Sequence, residues 1–258
     1  MPGFGLRGYG NLLDALKEAG YAFATVSHLR EPTAGPVAFL RHDLDFFLPD
    51  ADLAFARAEA ERGICATYYV LLSGIANPLT QDGPAVLAEI ADLGHEVGLH
   101  YDLEVYPSDE AAARHRLDLE AELIETVTSV SVRSICTHNP YRGGSDPFLE
   151  LDEYVHASDP RVEEVLYLSD SCRAFRDESL LRCFSAEPPP RVMLLTHPES
   201  WLDEGIEDRI AYLETVLLPE VVKPIRRFVA DDVAPVWRDH PGARAHDSRT
   251  ASRPTQTG

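Results

Sequence analysis

Three aspartates and three histidines in this chain close short apolar runs. Asp43 and Asp45 follow 37–42, His100 follows 96–99, His138 follows 134–137, Asp170 follows 166–168 and His197 follows 192–196. Carboxylates and imidazoles hold divalent cations and move protons near neutral pH. In Arg41-His42-Asp43-Leu44-Asp45 the two carboxylates stand two residues apart, so on an extended segment they point the same way. One can bind a cation while the other faces a substrate; alternatively, both cap the helix that opens near Asp50. His95 and His100 are five apart and face opposite sides of a strand. His100, at the strand end, is the metal candidate. His95, at the strand start, reads as a structural hydrogen-bond partner.

These residues need elements that converge. Helix patterns are expected over 11–19, 49–62, 84–93 and 108–126, and a last one over 206–217 that Pro219 interrupts. Strand patterns are expected over 37–43, 65–72, 96–100, 130–137, 166–168 and 191–195. Strands alternating with helices predict a parallel sheet. So many units in a short chain favour a small β/α barrel over an open doubly wound sheet. Active sites of such proteins lie at the C-terminal ends of the strands, where these six residues stand. Any one of the three histidines alone would read as a satisfied core residue; five strands ending in polar groups are hard to explain by packing.

Composition narrows the partners. The chain has 258 residues, 45% apolar, with 43 acidic and 23 basic side chains for a net charge of −20. Such a surface repels phosphate backbones and anionic lipid, so neither nucleic acid nor membrane is expected as a partner. Four cysteines without a Cys-x-x-Cys pair argue against a disulfide framework or zinc ribbon and suit a reducing compartment. No signal peptide or membrane-length apolar run is legible, and a cytoplasmic location is expected. Residues 1–239 are expected to form a single domain. Residues 240–258 lose apolar periodicity and read as a flexible tail, in which His240 and His246 do no chemistry.

In order, Phe39-Leu40-Arg41-His42-Asp43-Leu44-Asp45, Ala66-Thr67-Tyr68-Tyr69, Gly94-His95-Glu96-Val97-Gly98-Leu99-His100, Ser134-Ile135-Cys136-Thr137-His138-Asn139-Pro140, Tyr167-Leu168-Ser169-Asp170-Ser171 and Leu194-Leu195-Thr196-His197-Pro198-Glu199-Ser200-Trp201 resemble the polysaccharide deacetylase family, carbohydrate esterase family 4. The resemblance covers about 37–201 and looks nearest to an intracellular branch found with surface-polysaccharide biosynthesis. It implies a distorted (β/α)7-type barrel, a divalent metal and hydrolysis of an N-acyl group on a sugar. Asp43 matches the family's catalytic base and Asp45 its first metal ligand, with His42-Asp43 as an alternative register. His100 matches the next ligand. The family's usual His four residues later is Glu104 here, so the third ligand is either Glu104 or His138, and the related branch favours His138. His197 matches the general acid, with Asp170 as its supporting carboxylate.

The implied cofactor is zinc first, with iron, cobalt, nickel or manganese as alternatives. Asn139 is a substrate-contact candidate, and Arg142 and Arg173 could bind an anionic group such as a nucleotide-sugar phosphate or simply be solvated. The expected activity is deacylation of an amino sugar or related small amide, with a homo-oligomer possible. Two alternatives stand beside it: a deacetylase-like binding module without catalysis, and a C–N hydrolase of a non-sugar amide or cyclic imide.

Overall fold

The computed structural model describes residues 3–80, 82–140, 145–175 and 177–239. Arg142 and the 240–258 segment lie outside the described residues. The strands are β1 (Ala22–Ala24), β2 (Val37–Leu44), β3 (Thr67–Leu71), β4 (Glu96–Tyr101), β5 (Ser134–Thr137), β6 (Val155–His156), β7 (Leu166–Ser169) and β8 (Arg191–Thr196). They pair in parallel in the order β6-β5-β4-β3-β2-β8-β7, and β1 lies beside the first half of β2. From the β7 edge, neighbours follow chain order around a circle, without the reversal that marks a doubly wound sheet. Among the described residues β6 and β7 do not pair, so the sheet is a half-barrel cut between them.

All eight residues of β2 are buried, as in a central parallel strand covered on both faces. Val37 and Phe39 turn inward to Tyr69, Cys136 and Met193. Ala38, Leu40 and Leu44 turn outward into the larger core beneath α1 (Leu6–Glu18), α2 (Pro49–Ala60), α3 (Gly83–Asp92) and α4 (Glu110–Thr128). The two-residue period therefore sends Arg41 and Asp43 into the barrel and His42 out of it. On β4 the inner face needs a glycine. A Cβ on Gly98 would lie 2.6 Å from the Tyr69 ring and 2.8 Å from the Ser134 carbonyl oxygen.

Outside the barrel, a polar knot ties the sheet to the helices. The fully buried Glu59 carboxylate accepts from His42 Nε2 at 2.7 Å, from Tyr68 Oη at 2.7 Å and from Tyr9 Oη. Burial pushes the Glu59 carboxyl up, but the His42 charge and hydrogen bond override it and hold it below the usual range. His95 belongs to this layer: Nδ1 accepts from the Ala66 amide at 3.2 Å, and Nε2 donates to the Ala56 carbonyl at 2.9 Å.

The structure departs from the sequence expectations at several boundaries. β1 and β6 are three and two residues long, too short for a periodicity to register. The strand expected over 130–137 forms only at Ser134–Thr137. Its first residues connect from α4, held by the Val132 amide donating to Glu125 at 2.9 Å. Pro219 does not end the last helix. α5 (Arg209–Tyr212) runs into a π turn at Leu213–Leu217, α6 (Leu218–Phe228), a second π turn at Val229–Val233 and α7 (Ala234–Asp239). The wide turn comes where Pro219 has no N–H to give, so the chain stays helical. Among the described residues no helix is long and apolar enough to cross a membrane. All four cysteines are free.

Candidate active site

β2, β4, β5, β7 and β8 deliver their polar residues to one end of the barrel. Asp43 lies on β2 and Asp45 just beyond it, His100 lies near the end of β4, and His138 follows β5. The first cluster is a triangle of donor atoms. Asp45 Oδ1 is 3.3 Å from His100 Nε2 and 3.1 Å from His138 Nδ1, and the two nitrogens are 3.2 Å apart. Asp45 Oδ1 is buried and makes no well-aligned hydrogen bond despite both neighbours. Burial pushes the Asp45 carboxyl up, but the His100 and His138 rings pull it far below the usual range. His138 is raised above the ordinary imidazole value, first by its contact with Asp45 and against its own burial.

The triangle fits a divalent cation. Ligands about 2.0–2.1 Å from a tetrahedral ion stand about 3.3–3.4 Å apart, close to the edges seen here. The tautomers fit too. His100 Nδ1 donates to the Cys136 carbonyl at 3.0 Å, which leaves Nε2 as the ligand atom. His138 turns Nδ1 to Asp45, so a ligating His138 carries its proton on Nε2, 2.7 Å from the Asn139 amide. That amide then presents its oxygen to the ring. Glu104 stands outside the triangle, exposed on the loop after β4. Of the two candidates for the third place, His138 has the geometry.

The second cluster is a paired acid. Arg41 donates to both Asp43 oxygens, Nε at 2.8 Å and Nη2 at 2.6 Å, inside the barrel. Burial pushes Asp43 up, yet the Arg41 and His100 charges hold it below the usual carboxylate range. Asp43 Oδ2 lies 3.6 Å from His100 Nε2, so the ionised oxygen borders the triangle. His42 points out of the barrel, bonded to Thr196 and Glu59, and so does not face the triangle.

The third cluster is a histidine on a carboxylate. His197 Nδ1 donates to Asp170 Oδ1 at 2.6 Å, and Asp170 Oδ2 accepts the His197 amide at 3.0 Å and the Trp201 indole at 2.7 Å. His197 Nε2 faces the centre, 3.9 Å from Asp45 Oδ2. Burial lowers the His197 pKa, but Asp170 outweighs it and pushes it up to about 10.

Arg173 requires a correction. Its Nε donates to the Ser200 carbonyl at 2.9 Å, Nη2 to the Asp203 carbonyl at 2.6 Å and Nη1 to the Ile206 carbonyl, and the guanidinium lies 3.9 Å from the Tyr212 ring centre. Every nitrogen is engaged by the loop after β8, so Arg173 clamps that loop instead of meeting a substrate anion. Arg142 lies outside the described residues, and Asn139 contacts His138. Sequence reasoning missed Arg41, whose signal was its position two residues before Asp43 on the same strand face. It also missed Cys136, paired in register with His100 and grouped with Asp43 and His100 as a second set of possible ligands. Glu199 is a buried carboxyl whose Oε2 has no hydrogen-bond partner, and burial raises its pKa well above the ordinary value.

No family model and no curated protein matches the sequence. Solved structures do match. A CE4 family pseudoenzyme from Bacillus anthracis is 16% identical over 74% of this chain, with a TM-score of 0.42, and the match covers 62% of its length. A chitin deacetylase from the fungal pathogen Colletotrichum lindemuthianum is 13% identical over 80% of this chain and 85% of its own, with a TM-score of 0.42. A mutant peptidoglycan deacetylase from Bacillus subtilis is 16% identical over 75% of this chain and 95% of its own, with a TM-score of 0.43. The first is named as a pseudoenzyme of the family that the sequence motifs resemble, and the other two are named as deacetylases. Likeness at this level carries no functional argument; the geometry of the site has to carry it.

Proposed function

We propose that this chain is a metal-dependent hydrolase that removes an N-acyl group, with an N-acetylated amino sugar or related small amide as its substrate class. One observation carries the reading: the Asp45–His100–His138 triangle, with its unpartnered buried oxygen, lies between Asp43, held by Arg41, and His197, held by Asp170. Such a pair of groups, pushed to opposite charge states beside a cation site, suits acid–base hydrolysis.

Asp45, His100 and His138 would hold a divalent ion, zinc first, and leave room for water and substrate. When bound, the ion supplies Lewis acidity that acidifies water and polarises an amide carbonyl. Arg41 holds both oxygens of Asp43 and keeps its carboxyl below the usual carboxylate range, so it can accept a proton from the attacking water. Arg41 also fixes its direction. His197 keeps a proton on Nε2 because Asp170 stabilises the imidazolium through Nδ1. That proton goes to the leaving nitrogen, without which the C–N bond does not break readily. Trp201, bound to Asp170 Oδ2, keeps that carboxylate from turning away. The four free, scattered thiols suit the cytoplasmic setting of the proposal.

Elemental analysis of the purified chain tests the first half, and acetate release from N-acetylated sugars and their nucleotide conjugates tests the second. The expected result is about one divalent ion per chain, lost in Asp45→Ala, together with metal-dependent acetate release. A chain that binds no divalent ion in metal-supplemented buffer would overturn the proposal.

A further inference from the structure

We infer that Asp146 is a positioning residue of the cation site: it ties the ends of β4 and β5 together behind His100 and His138, and so sets how tightly the triangle holds an ion. The inference rests on the cation site proposed above. His100 and His138 turn into the barrel, so by the two-residue period their neighbours Tyr101 and Thr137 turn out of it. These two neighbours face each other in register across β4 and β5, and both are buried.

Asp146 brings the chain back to this pair. Its Oδ2 accepts from Tyr101 Oη at 2.6 Å and from Thr137 Oγ1, and its Oδ1 accepts from the Phe148 amide at 2.9 Å. Each hydroxyl has one proton and gives it to Asp146, which leaves the two hydroxyl oxygens 2.8 Å apart with lone pairs facing. The buried His156, on β6, fills that gap. Its Nδ1 accepts from the Ser158 amide at 2.9 Å, so its proton sits on Nε2, 3.1 Å from Tyr101 Oη and 3.2 Å from Thr137 Oγ1. Every proton in the group has an acceptor.

The end of β5 needs such a tie. Among the described residues β6 pairs with β5 only at Ser134 and Ile135, so from Cys136 onward the strand is paired on its β4 side alone. The His138 amide makes a last bond to β4, to the Tyr101 carbonyl at 2.7 Å, and Asn139 then turns the chain away with a φ of 46°. Without Asp146, two buried hydroxyls and an amide lose their acceptor, and the strand end can splay. Ligand distances tolerate only about 0.2 Å, so a small splay loosens the ion.

Zinc affinity of the full chain, measured by competition with a chromophoric chelator, tests the role, with Tm as the check on folding. Asp146→Ala should raise the zinc Kd by about 10- to 100-fold. The near-isosteric Tyr101→Phe and Thr137→Val should each raise it about tenfold, whereas Thr137→Ser, which keeps the hydroxyl, should stay within about threefold of the parent. Adding Tyr101→Phe to Asp146→Ala should cost no more than about a further threefold, because both act through one network. Tyr68→Phe removes a hydroxyl from the Glu59 knot, where none of the three ligands stands. It should lower the Tm yet leave the zinc Kd within about twofold of the parent. A parent that binds zinc beside an Asp146→Ala variant of equal affinity would overturn the inference alone, as would a Tyr68→Phe variant that loses zinc as readily as Tyr101→Phe. A parent that binds no zinc would overturn the cation site, and this role with it.

Discussion

Asp170→Asn tests the division of labour in the site most directly. The carboxylate of Asp170 is the largest influence raising His197, which burial alone would lower. Removing its charge should let the pKa fall from about 10 to the ordinary 6.5 or below. At pH 8 the protonated fraction of His197 then drops from nearly all to about 3%, which alone costs about 30-fold in kcat. The loss goes further, because an amide nitrogen facing Nδ1 cannot accept the proton that an imidazolium carries there. A total fall of about 10²- to 10⁴-fold is expected, the range for losing a general acid.

The assay is a pH profile of kcat on metal-loaded enzyme. The parent should hold its activity into the alkaline range, whereas the variant's alkaline limb should move below pH 7. Metal content should stay unchanged, since Asp170 touches none of Asp45, His100 and His138. Stability gives an independent sign check. A histidine whose pKa is raised on folding contributes stability that is fully present below its unfolded value, about 6.5, and is lost as pH rises through its folded value, about 10. The Tm gap between parent and variant should therefore be widest below about pH 6.5 and narrow towards pH 10. A gap that widens with pH, or a variant with an unmoved alkaline limb, would refute the assignment of His197 as proton donor.

Three further outcomes are expected. His138→Ala should lose bound metal while Glu104→Ala keeps it, read by elemental analysis; the reverse pattern would move the third ligand to Glu104. Arg173→Lys should lower the Tm by about 4–8 °C, because a lysine cannot serve three carbonyls and a ring together, costing about 2 kcal/mol, yet KM should stay within about twofold if no substrate anion touches it. Gly98→Ala should destabilise by about 1–3 kcal/mol in chemical denaturation, since its Cβ would press on Tyr69 and the Ser134 carbonyl.

The sequence alone determined which residues could do chemistry and where on the elements they stand. Side chains in a strand alternate, so Asp43 and Asp45 had to share a side and His95 and His100 had to part, whatever the barrel did around them. Apolar runs ending in Asp or His marked the same end of five strands, because chain direction is a local property and parallel strands share it. What lay beyond local pattern was distance between strands. Whether His138 or Glu104 stood within reach of Asp45 depended on how β5 lies against β4. The partners of Arg173 come from carbonyls about thirty residues away, which no periodicity encodes. The pairing of Arg41 with Asp43, and so the charge state of the proposed base, needed a buried interior that excludes water and makes a two-pronged ion pair strong. The residue types were written in the chain; their proton affinities were decided by which of them the fold buried together.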